Sequence, residues 1–364
     1  MKAAVLHAFG QSLALEDLAD PEPRPGDAVV EVAAARVLSY MRDVLSGARA
    51  YAMELPAVPG AGAVGRIRAL GPDATRLKVG DWVLCDPTLR SRDDPRTPDI
   101  ALQGLVARGE GGAILQRRYR NGSYAELMLA PLESLHPLGD ISPEDAPRWL
   151  GLGTMLVPYG GLEAVDFRPG ETVVVSGATG NFGGAAVMLG LALGAAGVVA
   201  LGRNADALAA LERRYGPRVR AVTLTGDAQA DAARIRAAAP GPVDVALDIL
   251  PPGAAASATR AAAFALREFG RLALMGGQQE DLALPYGWLM RNSITIRGQW
   301  MYPRSANASL IALARSGQVD LSAFEIAEFP LARIEQALDH AAAHPGAFRT
   351  TALRPRHAAV AETP

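Results

Sequence analysis

The segment from Val173 to Gly184, VVVSGATGNFGG, constrains this chain more than any other stretch. An apolar run ends at Ser176, Gly177, Gly180 and Gly183 supply a tight turn, and a helical pattern starts at once. A strand, a glycine turn and a helix in that order bring backbone N–H groups and the positive end of a helix dipole to one point, where a dinucleotide pyrophosphate can be held without any charged side chain. Side chains at Gly180 and Gly183 are expected to block the phosphate and the strand behind it. The candidate cofactor loop is therefore Gly177, Ala178, Thr179, Gly180, Asn181, Phe182 and Gly183. No lysine follows it, so a nucleoside-triphosphate loop is excluded.

The surroundings of the loop fit the same reading. Apolar strand runs alternate with alanine-rich helical runs: strands are predicted at Glu171 to Ser176, Gly197 to Leu201, Val219 to Leu224, Val243 to Ile249, Arg271 to Met275 and Ser293 to Arg297. Helices are predicted at Asn181 to Leu193, Ala205 to Tyr215, Ala228 to Ala239 and Ala254 to Phe269. Such alternation makes parallel βαβ units and a doubly wound sheet. The end of the second strand meets the adenosine ribose in such folds, where an acid binds the 2′-hydroxyl of NAD(H) and an arginine accompanies the 2′-phosphate of NADP(H). Here that end reads Gly202, Arg203, Asn204. The acid is missing and a guanidinium follows, so NADP(H) is favoured over NAD(H). Gly276, after the fifth strand, joins these three as a cofactor-binding candidate.

Ahead of this half the pattern differs. Short β-rich segments, Lys2 to Leu6, Asp27 to Ala35, Gly62 to Leu70, Asp81 to Cys85 and Ser123 to Leu129, lie between Gly/Pro turns. A polar lobe or flap is expected between Pro87 and Arg120, and the tail carries a helix near Leu331 to Ala342 and a strand near Thr350 to Leu353 that could fold back onto the first domain. At 364 residues the chain exceeds the usual reach of one core. Two domains are expected, one from residues 1–149 with 301–364 and one from 150–300.

Composition narrows the function. Thirty-six Lys+Arg against 38 Asp+Glu leave a net charge of -2, which argues against a nucleic-acid binder. Lys2 and Lys78 are the only lysines, so Schiff-base chemistry has almost nowhere to sit. The single cysteine, Cys85, allows no intramolecular disulfide and no Cys-rich metal cluster. It is expected in the core rather than as a nucleophile. No membrane span is expected, since the most apolar stretch, Ala185 to Leu201, is broken by glycines. The first ten residues also lack the long apolar core of a signal peptide, so the cytoplasm is the expected compartment.

Five ordered motifs carry a family resemblance: Pro59-Gly60-Ala61-Gly62-Ala63-Val64-Gly65, Val79-Gly80-Asp81-Trp82-Val83, Asn121-Gly122-Ser123-Tyr124-Ala125-Glu126, the Gly177 to Gly183 loop, and Gly270-Arg271-Leu272. Over nearly its full length the chain resembles the medium-chain dehydrogenases/reductases, the superfamily of alcohol dehydrogenases and quinone oxidoreductases. The resemblance implies an α/β protein with a GroES-like β-rich catalytic domain and an inserted Rossmann-fold domain.

It also implies where a catalytic zinc would be bound. The ligand positions hold Leu38, Ala61 with Gly62, and Gly153, none of which can ligate zinc. The lobe lacks the structural-zinc cysteines, and His340 and His344 form no zincin motif. No metal site is expected. The resemblance aligns Tyr40 with the hydroxyl used for proton relay, with Ser39 one residue away; both are candidate catalytic residues, and Tyr51 and Tyr159 are weaker ones. Arg349 corresponds to an arginine that reaches the pyrophosphate.

The implied function is a zinc-independent NADP(H)-dependent oxidoreductase that moves hydride between nicotinamide and a small carbonyl, enone or quinone. The alternatives are a metal-free alcohol dehydrogenase and a non-catalytic NADP(H)-binding sensor. The expected partners are a small-molecule substrate and a second copy of the chain, paired through the last Rossmann strand.

Overall fold

The structure, a computed structural model, describes residues 1–356. The end of the expected 301–364 segment, residues 357–364, lies outside the described residues. The chain divides into two compact units, one from Met1–Gly153, Leu321–Pro345 and the segment beginning at Arg349, the other from Thr154–Asp320 and Gly346–Phe348. The return to the first unit comes at Leu321 rather than at residue 301.

The first unit opens with β1 (Lys2–Val5) and β2 (Ala14–Asp17), an antiparallel pair. After a glycine turn at Gly26 comes β3 (Asp27–Val37), rich in valine and alanine and buried along most of its length. A short helix, α1 (Met41–Leu45), follows it directly. Next are β4 (Ala63–Leu70) and β5 (Trp82–Cys85).

The expected lobe is a three-stranded antiparallel sheet, β6 (Thr88–Arg90), β7 (Ile100–Leu102) and β8 (Val106–Ala107), followed by α2 (Gly109–Arg118). Its small core joins Leu89, Ala101, Ala107 and Tyr119. The chain continues through β9 (Leu127–Pro131), β10 (Leu135–Pro137), α3 (Ala146–Trp149) and α4 (Gly151–Ala164). The strand expected from Ser123 starts at Leu127, because the residues before it are taken up as an anchor: Ser123 Oγ donates to the Gly62 carbonyl and the Tyr124 carbonyl accepts from Ala4 N–H.

The second unit alternates strand and helix: β11 (Thr172–Ser176), α5 (Asn181–Ala192), β12 (Gly197–Gly202), α6 (Ala205–Tyr215), β13 (Val219–Thr223), α7 (Ala228–Ala238), β14 (Val243–Asp248), α8 (Ala256–Ala265), β15 (Leu266–Leu274), α9 (Tyr286–Arg291), β16 (Thr295–Gly298) and α10 (Ser305–Arg315). The six strands are all parallel and run β13-β12-β11-β14-β15-β16. The chain order therefore reverses between β11 and β14, which makes the crevice beyond their carboxyl ends the expected ligand site of such a sheet. Val173, Val174 and Val175 are fully buried, as a central strand covered on both faces requires.

The helix expected to run to Phe269 stops at Ala265. Leu266 pairs with Val243 of β14, and the chain bulges before pairing resumes at Arg271, with Phe269 at a φ of 62°. Strand pairing here overrides the helical propensity of the sequence.

The tail returns to the first unit as β17 (Glu325–Pro330), α11 (Ile334–Ala343) and β18 (Arg349–Arg354). The completed sheet runs β10-β5-β4-β3-β18-β17, with β9 also paired to β3. The tail thus supplies two strands of the first unit's main sheet.

Candidate active site

The glycine loop connects β11 to α5 and lies in the second unit. Gly177, at a φ of 75°, makes the turn, and Ala178 N–H donates to the Leu201 carbonyl, tying the loop to β12. Gly180 is the N-cap of α5, and no side chain caps that helix end. Gly184 N–H donates to the Gly180 carbonyl at 2.8 Å, so the N–H groups of the first turn precede the helical ladder.

The glycines have different reasons. A Cβ on Gly180 would meet only the Gly177 carbonyl, at 3.3 Å, and would otherwise project into open space where an anion can sit. On Gly183 it would run into that same carbonyl and the Ala178 backbone. Gly183 therefore lets the loop close on itself, rather than making room for the strand behind. The segment before β18 braces the loop: Ala347 N–H donates to the Thr179 carbonyl at 3.0 Å, and a Cβ on Gly184 would lie 2.5 Å from that of Ala347.

At the end of β12, a Cβ on Gly202 would lie 2.9 Å from Thr179 Cγ2, so the loop itself crowds out an acidic side chain. Arg203 is exposed. Asn204 Oδ1 accepts from Ala207 N–H at 3.0 Å and caps α6, which commits that oxygen to the helix. Gly276 allows a close approach to the chain beyond β14, because its Cβ would lie 2.7 Å from the Leu250 carbonyl.

Between these points, at the carboxyl ends of β11 and β14, Ser176 and Asp248 are paired in register. Ser176 Oγ is buried without a hydrogen-bond partner, an orphaned polar atom at the head of the crevice. Asp248 accepts from Thr259 Oγ1 at 3.0 Å and from Leu250 N–H at 3.2 Å. Burial holds its carboxyl above the usual range despite these bonds. The loop, the uncapped helix and the orphaned serine fit a dinucleotide: the first turn of α5 and Gly180 would hold its pyrophosphate.

In the first unit the substrate-side candidates lie just past β3. Ser39 is exposed and Tyr40 half-buried. The Tyr40 carbonyl accepts from Asp43 N–H at 3.1 Å as α1 begins, and its hydroxyl makes no hydrogen bond to a described residue. Burial, chiefly, and the neighbouring Tyr51 push the phenol up to about 12, against the pull of Arg36 and Arg49. It is thus a neutral O–H donor at ordinary pH. The Arg49 guanidinium lies over both rings, with Cζ 4.1 Å from the Tyr40 centroid and 5.1 Å from that of Tyr51. Tyr159 lies on α4 in the second unit.

The positions assigned to zinc ligands hold no donors. Leu38 and Ala61 are buried, and a Cβ on Gly62 would rest 3.3 Å from Pro87 Cδ. A Cβ on Gly153 would stand 3.7 Å from Arg36 Cζ, so a guanidinium lies beside the third position. Among the described residues no group of three or more His, Cys, Asp or Glu could hold a metal ion. The donor set does not fit a catalytic zinc.

Cys85 is buried, and its thiol is pushed up to about 12, mainly by burial. His340 and His344 stack with ring centroids 4.2 Å apart, and His340 Nδ1 lies 3.0 Å from Thr351 Oγ1. Arg349 opens β18 in the first unit with Nε 3.7 Å from Glu325 Oε2. Sequence reasoning missed Arg36, Arg49 and Ser176. The signal for Arg36 was its place, two residues before Leu38.

Residues 24–140 match the alcohol dehydrogenase GroES-like domain, and residues 182–316 match the zinc-binding dehydrogenase family. An alcohol dehydrogenase of Moraxella sp. (strain TAE123) is 30% identical over 321 residues, 88% of this chain and 90% of that protein. The chain belongs to the medium-chain dehydrogenase/reductase superfamily. As a medium-chain dehydrogenase/reductase it is an NAD(P)H-dependent oxidoreductase, with the GroES-like and Rossmann-type folds that its motifs led us to expect.

An acryloyl-coenzyme A reductase of Metallosphaera sedula is 30% identical over 196 residues, 54% of this chain and 57% of that protein. A cobalt- and zinc-bound thermostable alcohol dehydrogenase from Pyrobaculum aerophilum matches in structure with a TM-score of 0.75 at 24% identity, covering 98% of this chain and 99% of that one. At that identity the likeness bears on the fold alone. The match to the zinc-binding dehydrogenase family, over 182–316, lies outside the positions 38, 61, 62 and 153 assigned to metal ligands. Among the described residues no helix is long and apolar enough to cross a membrane.

Proposed function

We propose that this chain is a zinc-independent, NADP(H)-dependent oxidoreductase that reduces a small carbonyl, enone or quinone. The observation that carries the reading is the pairing of Gly153 with Arg36: the third ligand position has no side chain, and a guanidinium stands 3.7 Å from where one would begin. A guanidinium stands beside that position, and the remaining positions offer only leucine, alanine and glycine.

NADPH, when bound, supplies the hydride. The chain's own residues bind and orient it: the uncapped first turn of α5 and the open face of Gly180 take the pyrophosphate, and Arg203 takes the 2′-phosphate, with Gly202 and Thr179 leaving no room for a competing acid. We assign Arg349, at the start of β18, to the pyrophosphate as a candidate cation, and Gly276 allows the chain after β15 to lie close to Leu250 beyond β14. On the substrate side Tyr40 Oη donates its proton to the reacting oxygen, with Ser39 as the next hydroxyl in the chain. Held neutral and without an internal partner, Tyr40 is a preorganised donor.

The reverse reaction, oxidation of an alcohol without metal, uses the same groups, and the Moraxella relative's name favours keeping it in view. The working compartment in this reading is the cytoplasm and the working form a homodimer. The test is single-turnover NADPH oxidation against quinones, enones and ketones, with the metal content of the same sample measured. Turnover without stoichiometric zinc supports the reading; tight NADPH binding with no turnover of any of them supports the sensor instead.

A further inference from the structure

Two guanidiniums bear on one phenol in the first unit. Arg49 leans on the Tyr40 and Tyr51 rings and pairs with no carboxylate among the described residues. Arg36 lies beside Gly153, and both arginines act electrostatically on Tyr40. Arg49 is half-buried and lies against two rings, which narrows its side-chain freedom and so reduces the entropy lost when a ligand arrives. A partly desolvated guanidinium with its hydrogen-bonding edge uncommitted to any carboxylate, next to a neutral hydroxyl donor, is the arrangement that recognises an anionic oxygen group. With no carboxylate among the described residues taking its N–H groups, the Arg49 fork has donors left for a carboxylate or phosphoryl group.

We propose that Arg49, braced on Tyr40 and Tyr51 and assisted by Arg36, is an anion subsite, and that the substrate reduced beside Tyr40 carries a carboxylate or phosphoryl group. The inference deepens the reductase reading and rests on it for the placement of the reacting carbonyl. Arg49 is a specificity residue in this account. Arg36 contributes charge beside the reacting oxygen.

Two measurements test it. In the first, the full-length protein is labelled with the arginine reagent phenylglyoxal, and modification of Arg49 is followed by peptide mass spectrometry in the presence of malonate, inorganic phosphate or neutral malonamide. Protection by malonate marks a carboxylate subsite and protection by phosphate a phosphoryl one. Equal labelling of Arg49 under all three conditions overturns the proposal.

In the second, an enone acid and its methyl ester are compared as substrates. Arg49→Gln should raise KM for the acid by about tenfold or more relative to KM for the ester, the scale of a lost charge-assisted bond, while any loosening of the Tyr40 ring lowers kcat for acid and ester alike. Arg49→Lys should recover part of the loss. Equal effects on KM for acid and ester overturn the proposal. If neither compound is reduced by the wild-type protein while malonate or phosphate still protects Arg49, the anion subsite stands and the reductase reading falls.

Discussion

The Arg49 guanidinium carbon sits 4.1 Å from the centroid of the Tyr40 ring, close enough for cation–π attraction to set the ring's orientation. The ring is thereby held while its hydroxyl stays uncommitted. Tyr40→Phe keeps the stacking and removes only the donor, so the chemical step should slow by roughly 10²- to 10³-fold, the usual cost of a preorganised donor. Ser39→Ala should leave the rate nearly unchanged. Because burial holds the phenol near 12, the wild-type rate should stay flat through the ordinary tyrosine value of 10.0 instead of falling there as the donor is lost. Stopped-flow traces of NADPH oxidation across that pH range, for both variants, measure this.

Gly180 and Gly183 should respond differently to the same substitution. Gly180→Val projects into the open face at the start of α5, and the variant should fold normally while losing measurable NADPH affinity. Gly183→Val drives a side chain into the Gly177 carbonyl and should cost stability first, by roughly 1–3 kcal/mol. Thermal melts beside fluorescence titrations separate the two. A Gly180→Val protein with unchanged affinity would remove the loop from the binding site.

How much of this was legible in the sequence depends on how local its cause was. The second unit was read nearly strand for strand, because each strand is a short apolar run closed by a glycine or a polar turn. The end of α8 was not legible. Nothing local stops an alanine-rich helix at Ala265, and only the pairing of Leu266 with Val243, twenty-three positions earlier, does so. β17 was missed for a similar reason: its half-exposed residues have no strong alternation, and its partner β18 lies beyond a helix. Arg36 and Arg49 were not legible as a pair because Gly153 lies 117 positions from Arg36, and Tyr40 meets Arg49 only after α1 and the following turn bring the chain back.

Cofactor choice turns on an exposed residue. Arg203 follows Gly202 at the end of β12, where Thr179 blocks a larger side chain. Arg203→Ala should weaken NADPH binding by about tenfold or more, as expected for a charge-assisted bond to phosphate, and leave NADH binding as it was. Parallel titrations with the two nucleotides decide it, and equal losses would detach Arg203 from the 2′-phosphate.

The free edge of the parallel sheet predicts assembly. All four residues of β16 are exposed, and Ile296, Met290, Tyr286 and Trp300 are exposed apolar side chains on or near that strand. An uncovered apolar edge seeks a partner, and pairing two copies across a two-fold axis closes it. Light scattering at micromolar concentration should give a homodimer, and Ile296→Asp should shift it toward monomer.

The most direct test of the account is metal dependence. The protein should be dialysed exhaustively against a chelator, its zinc content measured, and single-turnover NADPH oxidation recorded with the best substrate found. Zinc should be substoichiometric and the rate unchanged. About one tightly held zinc per chain, with activity lost on its removal and restored when zinc alone is added back, would contradict this.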